Sequence, residues 1–191
     1  MVKNMVYEIA LLDTEILFLL QEQVRNEYLT PVFKLITHSG DMGIIWIISA
    51  IVLSIYKKTR TIGILAFMAM LLYALIGSGF LKNIVQRTRP FDALDGLSLL
   101  TGRPSGYSFP SGHTGIAFAA AGIYLRYLPL KYGIGAMILA VLMGFSRLYL
   151  GAHYPSDVII AAFIGSVSAL LIIKLSRYIN EKTKFKYNKV T

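Results

Sequence analysis

Five apolar blocks, roughly 42–56, 61–81, 112–128, 132–148 and 156–176, fix most of what this chain can become. In lipid no water satisfies the backbone, so a spanning segment must close its own hydrogen bonds, and blocks without a strict two-residue alternation do that as helices. A span asks for about 20 apolar residues. Several blocks are shorter, so they draw length from Tyr56, Lys57, Arg126 and Lys174, whose long side chains reach from the block ends to the interface. The expected fold is all-α: a polytopic transmembrane helix bundle with five clear spans, or six if the N-terminal segment also crosses. The 55% hydrophobic share exceeds that of a soluble globule and agrees with this.

By length the 191 residues form one domain. Residues 1–41 are expected to supply interfacial amphipathic helices, 42–176 the bundle, and 177–191 a basic cytoplasmic tail. Residues 9–24 mix Ile9, Leu11, Leu12, Ile16, Leu17, Leu19 and Leu20 with Asp13, Glu15, Gln21 and Glu22. That run is too short and too acidic to span and suits a helix lying at the interface; the same charges argue against a cleavable signal peptide. A short helix over 30–38 should start near Thr30, with Pro31 in its first turn. Small residues at helical spacing, Ala117 and Ala121 or Ala161, Gly165 and Ala169, permit close helix packing, although each pair alone is ordinary membrane composition.

The chain has no cysteine, hence no disulfide framework and no thiolate chemistry. Its net charge of +9 does not call for nucleic acid. Much of it lies in the tail (Lys174, Arg177, Lys182, Lys184, Lys186, Lys189) and in two loops, Lys57, Lys58 and Arg60, then Arg126 and Lys131, which the positive-inside rule assigns to the cytoplasm. Three further polar clusters, 82–90, 110–113 and 146–157, then fall on the opposite face. Positive charge kept there against the topological bias points to an anionic ligand.

Lys82 and Arg89 are seven apart, which returns both cations to one face if the preceding helix continues for about two turns; a snorkelling pair is the bland alternative. Ser111 and Gly112 open a helix whose free N–H groups suit an oxyanion, and His113 stands beside them as a proton donor. Helix capping alone would explain Ser111 but not the histidine. His153 precedes the last helix and Asp157 lies in its first turn, where the carboxylate can take one imidazole nitrogen and leave the other as a nucleophile. Asp157 in that place also complements the helix dipole, and one His with one Asp is a poor metal set. Arg147 adds a third cation, with Arg87 and Arg103 near by in sequence.

Lys82–Pro90 reads K-N-I-V-Q-R-T-R-P, Pro110–His113 reads P-S-G-H, and Ser146–Asp157 reads S-R-L-Y-L-G-A-H-Y-P-S-D. Together, in this order, the three stretches resemble the type 2 phosphatidic acid phosphatase family, related to vanadium haloperoxidases. The resemblance implies a membrane-embedded lipid phosphatase in which His153 forms a phosphohistidine, Asp157 orients it, and His113 protonates the leaving oxygen and then activates water. It implies that Lys82, Arg89 and Arg147, with Ser111 and the Gly112 N–H, hold the phosphate oxygens, with no cofactor and no metal. The expected partners are the bilayer and a lipid phosphate or diphosphate, undecaprenyl diphosphate first and phosphatidylglycerophosphate or phosphatidic acid next, and no nucleic acid. A lipid phosphotransferase sharing the site and a non-catalytic lipid-binding protein are the other readings; the latter gives no reason for both histidines.

Overall fold

A computed structural model describes residues 2–183. Among them all regular structure is helical. Helix α1 (Val2–Leu19) relaxes into a π-helical turn, Leu20–Val24. Helix α2 (Leu29–Ser39) is entered through Asn26, whose Oδ1 accepts from the N–H groups of Tyr28 (3.0 Å) and Leu29 (2.8 Å), so the helix starts earlier than Thr30. A single 3-10 turn, Asp41–Gly43, leads to α3 (Ile44–Ile55), and α4 (Arg60–Tyr73) runs through a π-helical stretch, Ala74–Leu81, into α5 (Lys82–Val85). After α6 (Pro90–Ala93) and an irregular connection come α7 (Gly112–Tyr127), α8 (Leu130–Tyr149) and α9 (Pro155–Thr183).

Three of these segments are long and apolar enough to cross a membrane: Arg60–Ala93, Leu130–Tyr149 and Pro155–Glu181. A fourth passes if Leu29–Ser39 and Asp41–Ile55, bent by 46°, count as one broken span. The short helix expected at the interface is therefore continuous, through an elbow, with the first apolar block. Helix α9 extends to Thr183, past the expected end at 176; the remainder of the basic tail lies outside the described residues.

Helix α7 is the axis of the bundle, packed on α4, α8 and α9. Its buried face is small: Ala117, Ala119, Ala120 and Ala121. In a membrane, helices gain little from excluding water and associate through close van der Waals contact, which small residues allow. At Gly165 of α9 a β-carbon would stand 2.4 Å from the Gly115 carbonyl oxygen, so the two backbones touch. Gly115 also leaves room for the ring of Tyr73, whose hydroxyl donates to the Ser111 carbonyl (2.8 Å) and ties α4 to the start of α7.

Helix α1 corrects an expectation. Its carboxylates do not all face water: Glu8 and Glu15 are exposed, but Asp13 is 2% exposed while Met5, Val6, Ile9, Leu12 and Leu19 lie outside. Amphipathic patterning assumes that charge avoids the interior, and that assumption fails when a buried carboxylate finds partners.

Candidate active site

Because the helical run from α4 into α5 carries the chain from Arg60 to Lys82, α7 runs from Gly112 past Arg126, and α8 passes from Lys131 to Arg147, the three polar clusters meet at one end of the bundle and the basic loops lie at the other. Helix α5 does not continue through Arg89. It stops at Val85, Gln86 turns to φ +48°, and Arg89 is extended (φ −73°, ψ 151°). Pro90 is the physical reason, since proline disfavours helical backbone in the residue before it. The seven-residue helical register is thus the wrong account of the Lys82–Arg89 spacing. The chain brings the two together by folding back: Arg89 donates to the carbonyls of Gly106 (2.8 Å), Ser105 (2.9 Å) and Ala152 (3.1 Å), and Lys82 feels the charges of both Arg89 and Arg147.

His153 is 2% exposed and placed by the turn from α8 to α9. The Arg147 carbonyl accepts from the N–H groups of Ala152 (3.0 Å) and His153 (3.3 Å). Gly151, at φ +75°, makes that turn; a β-carbon there would lie 2.8 Å from both Arg25 Nη2 and the Ser98 carbonyl oxygen. Arg25 braces the turn from outside, donating from Nε to the Tyr149 carbonyl (2.7 Å) and from Nη1 to the Ser98 carbonyl (2.9 Å).

The nearest approach of His153 Nδ1 to Asp157 Oδ2 is 3.6 Å, longer than a hydrogen bond. Ser108 lies beside both: its hydroxyl donates to Asp157 Oδ2 and sits 3.4 Å from Nδ1. Asp157 also accepts from the Tyr154 N–H (3.0 Å) and, at its other oxygen, from Arg87 Nη1 (2.8 Å). His153 Nε2 faces the cations, 3.4 Å from Arg89 Nη1. Burial pushes the His153 imidazole down to about 3; Arg147 and Arg89 push the same way and Asp157 opposes them. Burial thus disfavours the imidazolium, and Nε2 is the ring nitrogen that faces the site.

Arg147 is buried, contacts Thr37 of α2 through Nη1, and has a buried Nε without a partner. No hydrogen bond engages the Lys82 ammonium among the described residues. Ser111 holds the N-cap position of α7 without capping it; its Oγ accepts from Thr114 Oγ1 (2.9 Å), leaving its own proton and the first N–H groups of α7, Gly112 included, unspent. His113 is oriented from elsewhere: its Nε2 lies 3.0 Å from Asp41 Oδ1.

Arg89 thus lies 3.4 Å from one imidazole nitrogen, Arg147 acts on the same ring, and Lys82 feels both guanidinium charges, a cationic set that attracts a phosphate and stabilises charge growing on it. Arg87 and Arg103 are not among them. Arg103 is exposed, paired with Asp92 and stacked near Phe91 (5.2 Å). Arg87 is committed to the Asp157 carboxylate, bridging it to the Ser156 hydroxyl (2.7 Å) and Asp13 Oδ2 (2.7 Å), with its guanidinium 3.7 Å over Tyr154. Asp13 also accepts from the Ser156 N–H (2.8 Å) and hydroxyl. Asp13, Arg87, Ser108 and Asp41 are the residues that motif spacing does not single out.

The fold is an all-helical apolar bundle whose buried histidine and cations lie together at one end. Residues 61–181 match the family model described as PAP2 superfamily, and the chain belongs to that superfamily. Undecaprenyl-diphosphatase of Sulfolobus acidocaldarius is 34% identical over 131 residues, 69% of this chain and 63% of that protein, so the match spans less than two thirds of the relative. The crystal structure of Aquifex aeolicus LpxE superposes with a TM-score of 0.73 at 28% identity, covering 83% of this chain and 93% of that one. The transmembrane PAP2 type phosphatidylglycerolphosphate phosphatase from Bacillus subtilis also gives 0.73, at 27% identity, covering 90% and 88%.

Proposed function

We propose that this protein is an integral-membrane phosphatase that removes the terminal phosphate of a lipid phosphate or diphosphate through a phosphohistidine on His153. The observation that carries the reading is the buried His153 Nε2 facing Arg89 at 3.4 Å, with Arg147 Nε and the Lys82 ammonium unpartnered among the described residues. Phosphate seats among Lys82, Arg89, Arg147, the Ser111 hydroxyl and the Gly112 N–H. The Nε2 lone pair forms a bond to phosphorus as the bond from phosphorus to the lipid oxygen breaks, and that oxygen takes a proton from His113. Water then gives a proton to His113 and attacks phosphorus, the P–N bond breaks, and inorganic phosphate leaves. Asp157 orients His153, with Ser108 beside them.

The favoured substrate is undecaprenyl diphosphate, the diphosphate charge being suited to the cation nest and the Sulfolobus relative bearing that activity in its name. Phosphatidylglycerophosphate is the second reading, favoured by the likeness to the Bacillus subtilis structure over 90% of this chain. The proposed topology counts five spans in the cytoplasmic membrane, the N-terminal helix at the interface, the site outside and the basic tail inside, in keeping with the basic loops at the end remote from the site. Phosphate release from the two lipids in the same mixed micelles tests the assignment. Higher kcat/KM for the prenyl diphosphate supports it; a clear preference for the glycerophospholipid moves the protein to the second reading, and no release from either removes the phosphatase.

A further inference from the structure

The elbow between α2 and α3 touches the site twice. Thr37 meets Arg147, and one turn later Asp41 meets His113. The backbone there is held in an uncommon shape: Met42 is at φ +53°, which a side-chain-bearing residue keeps only where its surroundings impose it, and Gly43 follows at φ +75°, which glycine adopts freely. Gly40 fits against Met143 and the Cδ2 edge of His113, and Gly43 against Ile116 of α7. Asp41 is therefore fixed relative to the start of α7 rather than swinging on a free loop.

Its two oxygens are divided. Oδ1 lies 3.0 Å from His113 Nε2, and Oδ2 lies 3.0 Å from Nδ1 of His38 on α2. Among the described residues these three do not form a metal-holding group. Side-chain exposure rises outward, 19% at His113, 49% at Asp41 and 56% at His38. His113 Nδ1 has no hydrogen-bond partner among the described residues, so the nitrogen away from Asp41 is the one free to meet substrate. The charges of Arg147 and Arg89 also act on His113, and Asp41 is the carboxylate that opposes them.

We infer that Asp41 is the positioning residue of His113, fixing through Oδ1 the ring orientation in which Nδ1 gives a proton to the leaving oxygen and takes one from water, with His38 steadying the carboxylate from outside. This rests on the phosphatase reading above. In both half-reactions the Nε2–H bond to Asp41 is kept and only the Nδ1 proton moves, so no further reactant is needed. Burial of the ring and the two guanidinium charges oppose the imidazolium, and the Asp41 carboxylate offsets part of that opposition.

The test uses the full-length protein in detergent and substituted phenyl phosphates graded from p-nitrophenyl, whose phenolate departs unaided, to unsubstituted phenyl, whose leaving oxygen needs a proton. Asp41→Asn should lower kcat/KM about 10- to 100-fold for phenyl phosphate and about threefold or less for p-nitrophenyl phosphate, as expected when general-acid help is weakened. Asp41→Glu should recover part of the loss, and Asp41→Asn should add little to His113→Ala, because one acts through the other. A parallel loss across the series, with a lowered melting temperature, makes Asp41 a merely structural residue and overturns the inference, as does no loss at all. If the wild type releases phosphate from none of these esters and from no lipid, the phosphatase reading fails and takes this one with it.

Discussion

The two histidines are held by carboxylates in opposite ways. Asp157 is fully buried, saturated by Arg87, Ser108 and the Tyr154 N–H, and stands 3.6 Å from a ring that is itself buried. Asp41 is half exposed, bonded directly to His113, and shares its second oxygen with an exposed histidine. A buried charge is tolerated only when its lone pairs are filled, and Asp13, itself buried, extends that filling through Arg87. The difference follows from the proposed tasks. A nucleophile has one partner and gains from a fixed, dry seat, whereas a proton handler must meet first a leaving lipid oxygen and then water.

The largest effect should come from the buried pair. His153→Ala is expected to cut phosphate release by about 10⁴-fold or more, the scale seen when a nucleophile is lost from a triad. Steady-state release from purified folded variant checks this, and near-normal turnover would break the distinction between the two histidines. Asp157→Asn keeps the shape but leaves Arg87 paired with Asp13 alone, and the expected fall in kcat is about 10²- to 10³-fold. Asp13→Asn acts one step further out, through Arg87, and should cost about tenfold in kcat with KM little changed. Equal losses in Asp13→Asn and Asp157→Asn would show that the N-terminal helix carries more of the dyad's geometry than its distance implies.

The smallest change is one of protonation. With the His153 pKa pushed down to about 3, histidine-selective nitrogen spectra should show no titration of His153 in the free protein between pH 7 and 5. The sign for stability follows. The folded value lies below the ordinary 6.5, so the unfolded chain binds this proton first; the stability contributed by neutral His153 is intact above about pH 6.5 and is lost as pH falls toward 3. A His153 signal titrating near 6.5 would place the ring in a wetter seat than its burial indicates.

The helical blocks were legible because lipid leaves few choices, and α3, α7, α8 and α9 begin within two residues of the expected starts. The motif residues were legible because charge beside apolar blocks needs a reason. Lys82, Arg89, Ser111, Gly112, His113, Arg147, His153 and Asp157 do meet at one end of the bundle. Their contacts were less accessible. Pro90 rules out the helical register assumed for Lys82 and Arg89, and Ser108 carries no spacing signal linking it to Asp157. Asp13 looked like one more surface charge, because local patterning shows which face is polar but not that a guanidinium 74 residues away will bury it. Asp41 follows Gly40 at an elbow whose bend is visible only in three dimensions.

The phosphoenzyme itself tests the central claim most directly. Protein incubated briefly with lipid substrate carrying labelled terminal phosphate, then quenched in base, should retain label that survives alkali and is lost in acid. That label should map to His153, be absent from His153→Ala, and in His113→Ala form more slowly but decay more slowly still once formed, because both the acid for the leaving oxygen and the base for water are gone. Label that resists acid, label that persists without His153, or turnover with no labelled protein in either active form would contradict a phosphohistidine on His153.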